Sequence, residues 1–317
     1  MLSWKNPDGD DRDLGIEDYV ELGVMVALKA VCALRLGIGI HAMGYCLGGT
    51  LLAITAAALG GKPDNPLKTV SLLAAQTDFH EPGELGLFID ESQIAFLEDL
   101  MAERGYLDGR QMVGAFALIN SKDLVWSKLV HEYLMGAHTT MTALRAWNVD
   151  ATRMPARMHS EYLRQLYLHN DLSEGRYRVG GRAVMLADTT VPLFVVATER
   201  DHVSPWTSVY KIHHLAHAPV SFVLTSGGHS VGIVNPPTGQ AAHPQAIYRF
   251  MSHAPGKAPG DPQRWLEEAP SFAGSWWPCW HQWLRKHSSK QVGAAPVVGF
   301  VSAGPPVAAP GTYVHQG

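Results

Sequence analysis

"HAMGYCLGGTLLAITAAALGG", residues 41–61, holds the decision about the fold. An apolar run, "LGIGIHAMG" (36–44), leads into Gly44-Tyr45-Cys46-Leu47-Gly48-Gly49. A stretch rich in alanine and leucine follows and stops at Gly60-Gly61. The first part reads as a buried strand and the last as a buried helix with a glycine stop. Between them G-x-C-x-G has the form of a nucleophile elbow, a sharp strand-to-helix turn that lifts one side chain above the strand's carboxyl end. Glycines at 44 and 48 lack β-carbons, so backbone can pass close to both. The helix that follows points its positive end at residue 46 and favours a thiolate there. The plain alternative is a buried structural cysteine in a tight turn.

Outward from the elbow, "LKTVSLLAA" (67–75) reads as the next strand, and 13–35 as a helix after an acidic start. Strand, helix and strand in alternation predict a parallel α/β sheet. From 80 to 185 the stretches 89–108, 123–136 and 155–172 read as helices, which predicts a helical insertion in the core. Strand signals return at 191–201 and 219–229, with a helix over 204–218 between them. A loop marked by "NPP" (235–237), an aromatic helix over 274–287 and a weakly ordered tail over 288–317 follow. The expected organisation is thus 1–79 as the first part of the core, 80–185 as the insertion, 186–287 as the second part and 288–317 as the tail.

A nucleophile at an elbow needs a base and an acid delivered to the same sheet edge, in chain order nucleophile, acid, histidine. Asp201 ends "VPLFVVATERD" and His229 follows "VSFVLTSGG", so both leave predicted strands in that order. His229 would take the thiol proton, and Asp201 would orient the ring. The backbone N–H of Leu47 would supply one oxyanion donor. Among the 16 histidines, His213, His214 and His217 share a predicted helix. Positions 213 and 217 are four apart, a metal-capable spacing, but no third ligand accompanies them, and a solvated face is expected. Trp276, Trp277, Trp280 and Trp283 are expected to pack.

Composition narrows the classes. The chain has 317 residues, 46% of them hydrophobic, with net charge -4, so no basic footprint for nucleic acid is present. No stretch reaches the roughly 18 apolar residues of a membrane span. Three scattered cysteines (Cys32, Cys46 and Cys279) argue against a disulfide framework or zinc site and for a reducing cytosol.

The elbow "GYCLGGT" (44–50), the acid segment "ERDHVSPW" (199–206) and the histidine segment "SGGHSVGIVNPP" (226–237) together resemble the catalytic domain of polyhydroxyalkanoate synthases, most nearly class I. "SWKNPD" (3–8), "DLVW" (123–126), "WNVDATRMP" (147–155), "YLHNDL" (167–172) and "GSWWPCW" (274–280) fit the same family. The resemblance implies an α/β-hydrolase fold with a helical cap and catalytic Cys46, His229 and Asp201. It implies polymerisation of (R)-3-hydroxyacyl-CoA into polyester with release of coenzyme A. It further implies a homodimer at granule surfaces in the cytoplasm, with no cofactor beyond the substrate thioester and no metal. A thiol suits that chemistry. Transfer from coenzyme A to Cys46 exchanges one thioester for another, so the acyl group stays activated until a hydroxyl attacks it. Only 45 residues precede Cys46, whereas such a fold lays down several strands before its elbow. The expectation is a chain that lacks early strands, with its second oxyanion donor upstream of Met1. Two alternatives are a thiol-dependent hydrolase of esters or lactones and an inactive remnant or partner subunit of a synthase.

Overall fold

The computed structural model describes residues 1–34, 37–107, 133–136, 142, 144, 146–147, 152–239 and 242–289. Its centre is a six-stranded sheet whose order follows the chain: β1 (Ile40–Tyr45), β2 (Leu67–Leu73), β3 (Leu193–Thr198), β4 (Val220–Thr225), β5 (Ile247–His253) and β6 (Ser271–Ala273). The first four strands are parallel and the last two antiparallel. Every residue of β3 and β4 is buried. That is the pattern of central parallel strands covered on both faces, and it explains why their sequences read as near-continuous apolar runs.

The helices of the sheet's unit begin with α1 (Val26–Leu34), which continues a helical run from Ile16 through a π-helical stretch, Tyr19–Met25. Next comes α2 (Leu47–Ala58), buried continuously from Gly49 to Ala57. A helix apolar all round is stable only inside a core. Two compact units divide the chain. Among the described residues one holds Met1–Gly15 and Phe88–Leu163, and the other holds Ile16–Leu87 and the residues from Arg164 to Ser289. The helical unit contains α3 (Glu91–Ala102), capped by the Asp90 side chain on the Gln93 amide, and α4 (Ala156–Glu161). Residues 1–15 thus group with the helical stretch and not with the sheet, where the sequence boundaries had put them. Arg12 explains part of this, since its guanidinium donates to the carbonyls of Ala102 and Glu103 at the end of α3. The expected helix over 123–136 and the tail from 290 lie outside the described residues, apart from 133–136.

The sheet unit also contains α5 (Trp206–Tyr210), α6 (Ile212–Leu215), α7 (Pro262–Glu268) and α8 (Trp277–His287). The single helix expected over 204–218 is therefore two short ones that end at Leu215. His214 and His217 are exposed, as expected, but His213 is not. His213 is only 3% exposed and packs among Tyr210, Phe222 and His253, so it does not lie on a solvated face. Burial first, then the neighbouring His253 and His214, hold its pKa down to about 3, which keeps the ring neutral. A core cluster of Leu73, Phe194, Val196, Val223, Ile233, Trp276 and Trp283 fills one face of the sheet.

Candidate active site

In a parallel sheet every strand delivers its carboxyl end to one edge, and ligands collect there. Here β1 ends at Tyr45, β3 at Thr198 and β4 at Thr225, so Cys46, Asp201 and His229 all leave strands at the same edge. Cys46 sits between β1 and α2 with φ 53° and ψ -129°, a left-handed conformation that a β-carbon disfavours. Such a residue costs about 1–3 kcal/mol and persists only where its surroundings enforce it. They do so here. The Cys46 amide donates to the Leu73 carbonyl at 2.9 Å, and its own carbonyl accepts from Gly49 and Thr50 in the first turn of α2.

The glycines around the elbow have different roles. A β-carbon on Gly44 would lie 2.5 Å from the Gly48 carbonyl oxygen and 2.6 Å from the Gly49 α-carbon. On Gly49 it would lie 2.4 Å from the Ala75 β-carbon. On Gly48 it would meet nothing within 4 Å. The close approach expected at 44 and 48 is therefore made by 44 and 49.

Asp201 has a fully buried side chain that accepts four hydrogen bonds. Oδ1 takes the amides of Val203 (3.0 Å) and Ser204 (2.8 Å); Oδ2 takes the Thr198 hydroxyl (3.1 Å) and His229 Nδ1 (2.8 Å). The aspartate is thereby locked with one lone pair aimed at the imidazole. That bond places the Nδ1 proton on the Asp201 side and leaves Nε2 for the thiol. His229 is also coupled electrostatically to the Cys46 side chain. Its burial depresses the imidazolium, but the Cys46 charge and the Asp201 hydrogen bond together outweigh that and push the pKa up to about 10. The three residues named from the sequence are thus brought together, with His229 in the middle. Leu47 opens α2 directly after Cys46, and the first amides of a helix have no carbonyl of their own helix to bond.

Order of delivery (a cysteine elbow, an acid after β3, a histidine after β4) and a mostly parallel sheet make this an α/β-hydrolase fold. No family model matches the chain. Curated relatives do. The poly(3-hydroxyalkanoate) polymerase of Methylorubrum extorquens is 38% identical over 317 residues, 100% of this chain and 51% of that protein. The poly(3-hydroxyalkanoate) polymerase subunit of Rhizobium etli is 37% identical over 316 residues, 100% of this chain and 48% of that protein. That of Cupriavidus necator is 32% identical over 321 residues, 99% of this chain and 53% of that protein. This chain is a relative of the poly(3-hydroxyalkanoate) polymerases. It spans about half the length of the curated relatives it matches. Solved structures similar to it include a monoacylglycerol lipase of Paleococcus ferrophilus, at 10% identity and TM-score 0.38 over 69% of this chain and 68% of that one. An α/β fold family hydrolase of Bacillus anthracis follows at 13% identity and TM-score 0.37, over 69% and 71%. Scores this low carry no inference.

"GSWWPCW" (274–280) has a physical role in this fold. Trp276 Nε1 donates to the Gly232 carbonyl and Trp277 Nε1 to the Ile233 carbonyl, each at 3.0 Å. Ser275 Oγ donates to the Asn235 carbonyl at 2.5 Å. These tryptophans pack, as the sequence suggests, but they also clamp the loop that carries His229. Nothing in their spacing reveals that, because the partners are carbonyls some 40 positions away. The lock on Asp201 was more legible: an aspartate two and three residues before its amide donors is an Asx turn. Among the described residues no group of three or more His, Cys, Asp or Glu is arranged to hold a metal, and no helix is long and apolar enough to cross a membrane.

Proposed function

We propose that this chain is an acyltransferase that polymerises (R)-3-hydroxyacyl-CoA into polyester through a thioester on Cys46. The observation that supports it is the Asp201–His229–Cys46 constellation, on a chain related along its whole length to poly(3-hydroxyalkanoate) polymerases. Cys46 Sγ attacks the acyl-CoA carbonyl, its proton resting on His229 and the developing oxyanion facing the Leu47 N–H. The carbon–sulfur bond to coenzyme A breaks, and the departing thiolate takes the proton from His229. The 3-hydroxyl of another acyl unit then attacks the Cys46 thioester and gives its proton to His229. An ester forms, and the Cys46 thiolate is released to re-pair with the imidazolium. Each cycle converts one thioester and one hydroxyl into one ester and one free coenzyme A. Asp201 holds the ring's orientation through both proton transfers. The reactive carbonyl arrives already activated, so this scheme calls on no cofactor or metal. In the same proposal the enzyme works as a homodimer at the surface of cytoplasmic granules formed by its water-insoluble product.

The test follows coenzyme A release from 3-hydroxybutyryl-CoA, with mass spectrometry for acylated Cys46. Cys46→Ala is expected to lose acylation and to lower release roughly 1000-fold or more. Unchanged release from Cys46→Ala would overturn the nucleophile. Free hydroxy acid as the sole product would overturn polymerisation in favour of hydrolysis.

A further inference from the structure

Asp201 and His229 are tied to each other and stand on β3 and β4, whereas Cys46 stands on β1, with β2 between. The gap between thiol and imidazole therefore depends on what joins β1 to the histidine loop. That loop is rich in glycine, "SGGHSVG" (226–232), and needs external support to hold one conformation.

Tyr45 makes the join. It is the last residue of β1 and the covalent neighbour of Cys46. Its hydroxyl donates to the His229 carbonyl at 3.2 Å and lies 3.4 Å from Ser230 Oγ. Its ring packs on the imidazole, with centroids 5.2 Å apart and planes tilted by 43°. One side chain thus grips the main chain of His229 and the face of its ring while its backbone leads directly into the strained turn at Cys46. We propose that Tyr45 is a positioning residue that sets the spacing of Cys46 and His229. The inference rests on the reading of these two as nucleophile and base.

Tyr45→Phe removes the hydroxyl and keeps the ring, so it separates the grip on the His229 carbonyl from packing. Two readouts need no polymerase activity. The first is the rate at which iodoacetamide alkylates Cys46 at pH 7, followed by mass spectrometry. It is expected to fall roughly three- to tenfold, the span that loss of one neutral hydrogen bond allows. The second is the His229 ring titration by NMR, expected to move to lower pH as the coupling to Cys46 weakens. If the variant turns over acyl-CoA, kcat falls while KM holds. Ser230→Ala removes the hydroxyl's other neighbour and is expected to give a smaller change in the same direction, which keeps a test in hand if Tyr45→Phe does not fold. A merely structural Tyr45 would lower the melting temperature yet leave alkylation and titration of the folded protein at wild-type values, and that result overturns the proposal. His229→Gln is the control. If it alkylates as fast as wild type, the pairing itself is wrong. If alkylation responds to His229 but no coenzyme A is released, only the polymerase reading fails.

Discussion

At the scale of single residues, the charge on His229 is the most exposed consequence of the geometry. Burial alone would make a neutral ring, as it does for His159, held down to about 4. His229 goes the other way, to about 10, because its coupling to Cys46 and its bond to Asp201 outweigh its burial. Cys46→Ala removes the larger of the upward causes and leaves burial opposed by Asp201 alone, so the NMR titration of His229 should move down in that variant. A His229 that titrates identically in both proteins would contradict the coupling of the two side chains. Stability carries the same sign. A raised pKa gives a contribution that is complete below the unfolded value of about 6.5 and is lost as pH rises through about 10. The stability advantage of wild type over His229→Gln, read from urea midpoints, should therefore shrink between pH 6 and pH 10. Cys46, Asp201 and His229 were legible because each follows a strong apolar strand. Tyr45 was not, since its hydroxyl reaches a backbone carbonyl 184 positions away and no local pattern encodes that.

At the scale of elements, the strand–elbow–helix unit depends on two glycines and tolerates a third. Gly44→Ala would drive a methyl group into the backbone of Gly48 and Gly49, and no rotamer change relieves a clash with main chain. The expected cost is about 1–3 kcal/mol, as for overpacking elsewhere, with loss of Cys46 reactivity as α2 is pushed off its strand. Gly48→Ala meets open space inside a helix and should be neutral or stabilising by up to about 1 kcal/mol. Urea midpoints of the two variants check this, and equal losses would mean that the elbow is packed differently. The central elements were readable for a physical reason: β3 and β4 are buried on both faces, so burial writes a near-continuous apolar run. The antiparallel β5, "IYRFMSH", is partly exposed along its length and mixes polar with apolar residues, so no period stands out. α7 did leave a signal that the sequence reading passed over, Asp261 as N-cap with Pro262 at the first helical position.

At the scale of the whole molecule, the α/β-hydrolase layout was visible in the sequence because elbow, acid and histidine recur in a fixed order on strand ends. The grouping of residues 1–15 was not, since it rests on contacts such as Arg12 with Ala102 and Glu103, some 90 positions away. One consequence of the strand order concerns association. Among the described residues β1 pairs on one side only, with β2, and so forms an edge of the sheet. It is a parallel strand of apolar character, the type usually buried on both faces. Yet Met43 is 54% exposed, as is Ile38 just before it at 55%. The helical run that leads to it also exposes Leu22 and Val26, one turn apart. An apolar edge with unpaired backbone groups is a template for another strand, and a lysine is the usual natural safeguard against such pairing. Met43→Lys is accordingly expected to lower the oligomeric fraction of this chain at high concentration, measured by size exclusion with light scattering. Its stability should stay within about 0.5 kcal/mol of wild type, because the side chain is already more than half in water. The amides of β1 should also exchange with deuterium faster than those of β3, which is flanked by strands on both sides. If oligomers persist unchanged in Met43→Lys while β1 amides are as protected as β3, the edge is covered in solution and association proceeds through another surface.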